Sequence, residues 1–323
     1  MKKPDPTKKV KKSDTKKCIY CHSPYLLDFI NEHEKNCDKK PKIDTKFSAK
    51  PEIEKIQFDL ENVLHEREYE RLTEVQRKAL TYMHKKAIHL HQKSKNDLEK
   101  KIKKLGYKDQ DISRLYDYFE NDAPLVIHVN LQKYAEFFID DTNYRNLFEI
   151  NSGGSGCTNR LTRKNVEDKI FDNVFFDAHH SERVKYGAMN FTNDPVGVRC
   201  AKGYGRSYFI LKKHVRPRCT VTFQDSFGCT DADFGTFKHP SHVMMKFNDN
   251  EIKSAIKAAY GAEESSSVTH TYKEIQIHGS IEFSIDIETL CIDSEELKEE
   301  KNLDNILSFI KLYGIDYKVF ETK

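Results

Sequence analysis

The chain has 323 residues, of which 37% are hydrophobic and 33% charged, enough for a substantial core and a small accessory module. No run approaches the roughly 18 consecutive apolar residues of a membrane-spanning helix, and no apolar segment follows the N-terminal lysines as in an ordinary secretion signal. We therefore expect a cytoplasmic protein without a membrane partner, with a nuclear location or export by a specialised secretion system as alternatives.

Residues 1–17 form a basic tail. They hold eight lysines and two aspartates, a charge of +6, whereas the whole chain carries +3 and residues 18–323 therefore carry −3. A polar segment of this composition is predicted to be disordered. We favour a nonspecific solubilising arm, with nucleic acid, anionic lipid or an import receptor as alternative partners.

Three cysteines and one histidine within residues 18–37 have the spacing of a zinc finger. Cys18 and Cys21 follow the pattern C-x2-C, and His33 and Cys37 follow H-x3-C after eleven further residues. Two such thiolates can face one metal ion, and residues four apart lie on one face of a helix. The pattern predicts one structural zinc ion that supplies folding energy to the finger. Free thiols on a lysine-rich arm are the alternative.

The residues between the two ligand pairs predict a small helix. Its apolar side chains have helical spacing and form a minimal core: Tyr25, Leu26, Phe29 and Ile30. Its polar side chains are mostly acidic: Asp28, Asn31, Glu32 and Glu34. Because this is a poor surface for a DNA groove, a protein partner or a simple spacing role is at least as well supported as nucleic acid.

Residues 38–59 are predicted to be a linker, and residues 60–122 the helical start of the main domain, which spans 60–323. The pattern is helical from about residue 60 to 104. One apolar stripe with steps of three or four residues lies within it: Leu72, Val75, Ala79, Met83, Ala87 and Leu90. The spacing of His84, His89 and His91 does not bring all three to one face, so we expect a solvated helix surface rather than a metal site. A second helix is predicted at 109–120.

After residue 124 the sequence changes to short alternating segments. Strands are predicted at 125–131, 186–191, 207–212, 218–224, 272–278 and 281–287, and helices near 250–260 and 294–312. Helices followed by many short strands favour an α+β fold over a doubly wound parallel sheet.

Residues 273–279 (KEIQIHG) carry the clearest candidate chemistry. Period-two alternation puts Glu274, Gln276 and His278 on one face of a strand. A carboxylate there can accept a hydrogen bond from a sugar hydroxyl and stabilise positive charge at an anomeric carbon. The alternative is an ordinary amphipathic strand with a hydrated polar face.

A glycine-rich stretch at residues 152–156 (SGGSG) is followed by Arg160 and Arg163. Backbone amides of such a loop can approach phosphate oxygens, and arginines can clamp them. The stretch matches neither a P-loop nor the GxGxxG pattern of dinucleotide-binding sheets. A merely flexible loop explains it equally well.

Five segments together resemble the CteC-like bacterial effector family of mono-ADP-ribosyltransferases, formerly a domain of unknown function. They are LTEVQRKALTYMHKKA, RVKYGAMN, GYGRSYFILKK, VRPRCTVTFQDSF and YKEIQIHGSIEFSIDIETL, within residues 66–312. Each segment is weak alone, and the ordered set is fairly specific. The resemblance implies an α+β, split two-sheet ADP-ribosyltransferase-like domain preceded by helices, with NAD bound in a cleft between the sheets.

The resemblance also implies residue roles. Glu274 would bond the nicotinamide ribose and support an oxocarbenium-like transition state, with His128 and Gln276 as further catalytic candidates. The implied NAD contacts are Tyr144, Ser152, Gly153, Ser155, Arg160, Tyr186, Gly187 and His278. Within this set, Tyr186 would stack on the nicotinamide and Arg160 would lie near the pyrophosphate.

The expected function is transfer of ADP-ribose from NAD to a hydroxyl side chain of a protein acceptor, with ubiquitin as a candidate. NAD is then a substrate, and one zinc ion is structural. The alternatives are a non-enzymatic zinc-finger scaffold with a degenerate transferase-like domain, a nucleic-acid-associated factor that uses the basic tail, and NAD hydrolysis. A serine or cysteine hydrolase is poorly supported, because His179, His180 and Asp225 have no nucleophile at a recognisable spacing.

Overall fold

The computed structural model describes residues 15–40, 51–150, 160–264, 272–298 and 300–322. Its helices are α1 (Leu27–Asn36), α2 (Pro51–Glu54), α3 (Glu66–Glu70), α4 (Glu74–Lys104), α5 (Asp109–Asp117), α6 (Leu131–Ile139), α7 (Arg160–Ile170), α8 (Ser241–Met244), α9 (Asp249–Ala259), α10 (Phe283–Asp286) and α11 (Glu300–Tyr313). Its strands are β1 (Thr15–Lys17), β2 (Pro24–Leu26), β3 (Leu125–Val129), β4 (Lys185–Met189), β5 (Ser207–Leu211), β6 (Cys219–Thr222), β7 (Phe234–Thr236), β8 (Glu274–Ile277), β9 (Ile287–Asp293) and β10 (Asp316–Phe320). Among the described residues, no helix has the length and apolar character needed to cross a bilayer.

Helix α4 spans 31 residues and begins at a capping box. The Thr73 hydroxyl accepts a hydrogen bond from the Gln76 backbone N–H, and the Gln76 side chain accepts one from the Thr73 N–H. These two backbone N–H groups would otherwise have no partner within the helix. The predicted apolar stripe is largely buried, with Ala79 and Met83 against the body of the domain. The helical stretch expected from residue 60 is broken, because Leu60–Asn62 forms a 3-10 turn and α3 precedes α4.

His84 lies on the buried side of α4. Its side chain is 1% exposed, and its ring stacks on Phe58 with the centroids 4.7 Å apart. The expectation of a solvated surface was therefore wrong for His84. The reason is that α4 packs against both α8 and β7, a long-range arrangement that helical periodicity does not reveal.

Acid is expected to destabilise the fold through His84. Burial lowers the pKa of His84 to about 3, whereas an unfolded histidine titrates near ~6.5. Below pH ~6.5 only the unfolded chain takes up the proton, so stability falls with pH by up to ~1.4 kcal/mol per unit. We expect His84→Leu to flatten this fall between about pH 6.5 and 4.5 in urea unfolding. The exposed His65 is the matched control site, and an unchanged slope for His84→Leu would contradict the assignment.

The strands from β3 onward form one sheet in the order β10-β9-β5-β3-β4-β8-β6-β7. Neighbouring strands are antiparallel, except that β9 and β10 are parallel. This mixed sheet and the helices before it confirm the predicted α+β class. β7 and β10 were missed, because β7 has only three residues and β10 is exposed along most of its length, so neither alternates strongly.

The main sheet has few paired residues between β3 and β4. This strand pairs with β4 only through Leu125 and Val126, but with β5 through residues 126–129. Instead of the two small sheets that the resemblance implied for the main domain, the strands from β3 to β10 form one sheet, with few paired residues between β3 and β4. A Cβ on Gly187 would lie 2.5 Å from the Val126 carbonyl oxygen, so a glycine in β4 permits the close approach at this junction.

The predicted strand at 281–287 is wrong. Phe283–Asp286 forms α10, and β9 begins only at Ile287. The Asp286 carboxylate accepts the Glu282 backbone N–H at 2.7 Å and closes a turn, which an alternating pattern does not reveal. The helices expected near 250–260 and 294–312 are present as α9 and α11.

Candidate metal centre and candidate active site

The finger consists of the β1–β2 hairpin and α1. Its four predicted ligand atoms, on Cys18, Cys21, His33 and Cys37, lie within 4.8 Å of one another, and Cys21 Sγ is 3.3 Å from His33 Nε2. Zinc–ligand bonds of ~2.0–2.3 Å in a tetrahedron place the ligand atoms roughly 3.5–3.8 Å apart. The cluster therefore fits one zinc ion after small adjustments, and four protein ligands make such a site structural.

The hairpin turn presents two of the cysteines to one point. The backbone N–H of His22, whose φ is 59°, donates to the Cys18 carbonyl at 2.9 Å. The N–H groups of Tyr20 and Cys21 lie 3.4 and 3.5 Å from Cys18 Sγ, where they can donate to a thiolate. The local backbone is thus folded for metal binding.

Purified protein is expected to contain one zinc ion per chain. A double Cys18→Ser, Cys21→Ser variant should lose it, because two of four ligands are removed. Elemental analysis after gel filtration measures this, with the exposed Cys200 replaced by serine as the control. Unchanged zinc in the double variant would contradict the site.

The core of the finger differs in part from the prediction. Ile30 is buried and Tyr25 stacks on His33 with a 3.7 Å centroid distance, but Phe29 is 51% exposed. Phe29 was therefore wrongly placed in the core, since the short helix buries only one narrow side. The side chain of Leu26 lies outside the description.

The acidic side of α1 contacts the chain itself. Glu34 is 6% exposed, accepts the Ile19 backbone N–H at 2.9 Å and is 2.7 Å from His180 Nε2. Arg160 Nη2 lies 3.6 Å from the same carboxylate, and Arg160 Nη1 donates to the Lys17 carbonyl at 3.2 Å. The structure thus places Arg160 against the finger, and its contact with a pyrophosphate stays a prediction.

Glu274 begins β8, between β4 and β6 in the sheet, and is 2% exposed. Gln276 Nε2 donates to Glu274 Oε1 at 3.0 Å, and Thr220 Oγ1 donates to Gln276 Oε1 at 2.7 Å. Since the Thr220 hydroxyl bonds the amide oxygen, the amide N–H faces the carboxylate. Glu274 and Gln276 therefore share one strand face, as the alternation predicted.

Burial raises the pKa of Glu274 to about 7, from a usual value of 4.5. The adjacent Ser226 hydroxyl lowers this pKa, the charge of Asp225 raises it, and the guanidinium of Arg163 lowers it. Strongly perturbed carboxyl groups held by specific partners concentrate at functional sites.

An aromatic pair lies beside Glu274. Tyr204 is 36% exposed and stacks on Tyr272, with ring centroids 6.1 Å apart and planes 21° apart. The Tyr272 hydroxyl donates to the Gly187 carbonyl at 3.0 Å, and the charge of Glu274 raises the pKa of both tyrosines in addition to burial. Sequence reasoning missed this pair, although Tyr204 stands between glycines and Tyr272 stands two residues before Glu274.

Tyr186 lies opposite Gln276 on β4. Its hydroxyl donates to Glu167 Oε1 at 2.8 Å, and the guanidinium carbon of Arg163 is 4.5 Å from its ring centroid. Arg163 is 8% exposed, and its Nη1 has no hydrogen-bond partner among the described residues. Because Arg163 covers one face of the Tyr186 ring, Tyr204 offers the more accessible aromatic surface.

His128 is held by the backbone of two loops. Its Nε2 accepts the Val198 N–H at 3.0 Å, so its Nδ1 carries the proton and donates to the Gly205 carbonyl at 2.9 Å. Burial lowers the pKa of His128 to about 4, which keeps the ring neutral near pH 7. In this arrangement His128 fixes the segment that carries Tyr204.

Two implied NAD contacts lie in the core. His278 is fully buried, with Phe171 and Phe175 against its ring, and Tyr144 packs on the main apolar cluster. The structure does not bring these two to the exposed aromatic pair. Ser152, Gly153 and Ser155 lie outside the described residues.

Comparison with known proteins covers part of this region. Residues 118–247 match the family described as a protein of unknown function, DUF3626. The Gene 2 protein of Mycobacterium phage D29 is 25% identical over 170 residues, which are 52% of this chain. The alignment spans 62% of the phage protein. The DUF3626 match contains the five strands from β3 to β7 and ends before Glu274.

Proposed function

We propose that the protein is an NAD-dependent mono-ADP-ribosyltransferase that modifies a hydroxyl side chain of a protein acceptor. The observation that carries the proposal is a buried Glu274, held by Gln276 and adjacent to the aromatic pair Tyr204–Tyr272. The comparisons name no activity, so the proposal depends on this site and on the resemblance of the five sequence segments.

The geometry suits the chemistry of a glycosyl transfer. The bond between the ribose C1′ and the nicotinamide nitrogen breaks, and its electron pair leaves with neutral nicotinamide. The Glu274 carboxylate accepts a hydrogen bond from the ribose and stabilises positive charge at C1′. The acceptor hydroxyl oxygen then bonds to C1′, and its proton passes to a carboxylate or to solvent.

The planar nicotinamide requires a stacking surface, which Tyr204 offers on its exposed side. The narrow junction between β3 and β4 supports a cleft of the split-sheet type, because beyond Val126 β3 pairs with β5 and not with β4. A contact of residues 152–156 with the pyrophosphate remains part of the proposal. Ubiquitin is one candidate acceptor.

The test combines binding and transfer. Calorimetry measures NAD binding to the full chain, and labelled NAD is then incubated with the protein and hydroxyl-bearing acceptors, including ubiquitin. Label on an acceptor is expected. Free ADP-ribose without acceptor label would identify an NAD hydrolase instead, and failure to bind millimolar NAD would support the non-enzymatic scaffold.

A further inference from the structure

Helix α7 connects the finger to the candidate active site within one turn. At its start, Arg160 contacts Glu34 and the Lys17 carbonyl of the finger. Three residues later, Arg163 covers the Tyr186 ring and acts electrostatically on Glu274. Residues three apart in a helix lie on neighbouring positions of one side, so a displacement of the helix at Arg160 would also move Arg163.

On the finger side of this connection, buried polar groups of the finger contact the body. Lys16 is 3% exposed and donates to the Phe148 carbonyl of the body, and Asn31 Nδ2 is 2.6 Å from His179 Nε2. Glu34, the residue after the ligand His33, is buried by His180 and Arg160. Removal of one partner leaves an uncompensated charge in a buried position, so this interface should form or open as a unit.

The body side of α7 is equally fixed. Glu167 accepts both the Tyr186 hydroxyl and Arg183 Nη1 at 2.8 Å. Arg183 is 1% exposed and also donates to Asp168 at 3.1 Å. The second turn of α7 is therefore joined to β4, and its first turn to the finger.

We propose that Glu34 and Arg160 are positioning residues, through which the metal-folded finger sets α7 and hence the place of Arg163 beside Glu274. The finger is then part of the candidate active site, although it holds no reacting group. The expected effect of the finger on catalysis rests on the proposed function. The expected effect of the finger on the position of α7 rests only on the contacts between the finger and α7.

The charge environment of Glu274 supplies a specific readout. The charged and titratable groups that face it come from α7, β4, the loops before β5 and after β6, and the segment before β8: Arg163, Tyr186, Tyr204, Asp225, Cys229 and Tyr272. Arg163 is the one cation in this group, so its displacement removes the one positive charge among these groups that favours the ionised carboxylate. The acidic limb of a pH–activity profile should then move to higher pH.

The experiment uses the full chain and Glu34→Gln, with the exposed Glu32 on the same helix replaced by glutamine as the control. Zinc content, hydrogen exchange of residues 160–170 and NAD affinity are measured for both variants and for chelator-treated wild type. We expect Glu34→Gln to keep one zinc ion, to exchange faster in α7, and to bind NAD about tenfold more weakly. The acidic limb of the pH–activity profile should move to higher pH in Glu34→Gln, as it should in Arg163→Gln. Glu32→Gln should match wild type in every measurement.

Each failure has its own meaning. Unchanged exchange of α7 in both Glu34→Gln and chelated protein would overturn the inference. Faster exchange with unchanged NAD affinity and pH profile would overturn the link to the active site. If wild type fails to bind NAD, the proposed function fails, and the exchange data still decide whether the finger positions α7.

Discussion

Glu274→Gln is expected to lower the rate of ADP-ribose transfer by about 10²–10³-fold. Glutamine keeps the volume and the oxygen that accepts from Gln276, but it removes the negative charge that stabilises a developing cation at C1′. NAD affinity should change much less, since the charge matters most in the transition state. Single-turnover rates with labelled NAD measure the first effect, and calorimetry the second.

The pH dependence follows from the same residue. The carboxylate is the active form, and burial raises its pKa to about 7, so activity should rise with pH through that value. Above this pH the folded state carries a buried charge that the unfolded chain solvates better. Stability from Glu274 is therefore present below the unfolded pKa and lost as pH rises through about 7. Glu274→Gln should consequently raise the free energy of unfolding at pH 8, by about 1–3 kcal/mol.

Opposite effects on activity and stability distinguish a functional carboxylate from a structural one. The matched control is Glu288, an exposed glutamate in β9. Glu288→Gln should change neither the transfer rate nor the free energy of unfolding. A Glu274→Gln variant with wild-type transfer rate would overturn the catalytic assignment. A variant that is both inactive and less stable would point to a packing role.

Residue spacing and strand alternation were sufficient to predict which residues lie together in two parts of the molecule. The four finger ligands follow from C-x2-C and H-x3-C, because a turn and a helix are local structures. Glu274 and Gln276 share a face because alternation in a strand is local too. Neither inference needs knowledge of what packs against the segment.

The rest depends on contacts between distant segments. Tyr204 and Tyr272 meet through neighbouring loops, so no window of sequence contains both. From the glycine-rich stretch, the sequence offered both Arg160 and Arg163 as candidate phosphate clamps. In the structure, Arg160 contacts the finger and Arg163 contacts Tyr186. Helical spacing placed Phe29 in a core that the small finger does not provide.

The largest expected loss of stability comes from Asp286→Asn. Asp286 is fully buried in α10 and accepts Arg71 through both carboxylate oxygens, at 2.9 and 2.6 Å. Arg218 Nη2 lies 3.2 Å away, and His214 Nε2 2.9 Å away. Glu68 completes the network by pairing with both arginines, which joins α3 to the start of β6.

The atoms of Glu68, His214 and Asp286 are also close enough to hold a metal ion. The two arginines argue against this role, because they already compensate both carboxylates and a divalent cation would add uncompensated charge to a buried site. Chelation is therefore expected to act on the finger and to leave this network unchanged.

Removing the charge of Asp286 leaves Arg218 with Glu68 as its carboxylate partner and Arg71 with Glu68 and the partly exposed Glu282. Such a loss costs about 3–5 kcal/mol, whereas Glu282→Gln, at a partly exposed neighbour 3.1 Å from Arg71, should cost about 1 kcal/mol or less. Urea unfolding of both variants at pH 7 measures the difference. Equal effects of the two substitutions would contradict a special role for Asp286.

The dependence of stability on pH in the acid range provides an independent check of the same network. Burial alone would raise the pKa of Asp286, but hydrogen bonds from Arg71 and the charge of Arg218 lower it to about 2. An unfolded aspartate titrates near ~3.9, so this contribution is present above pH ~4 and lost as the pH falls through about 2. Wild type should therefore lose its advantage over Asp286→Asn in that interval, because the protonated Asp286 resembles the neutral amide. If the difference persists undiminished at pH 2, packing of the side chain and not its charge holds α3 against the sheet.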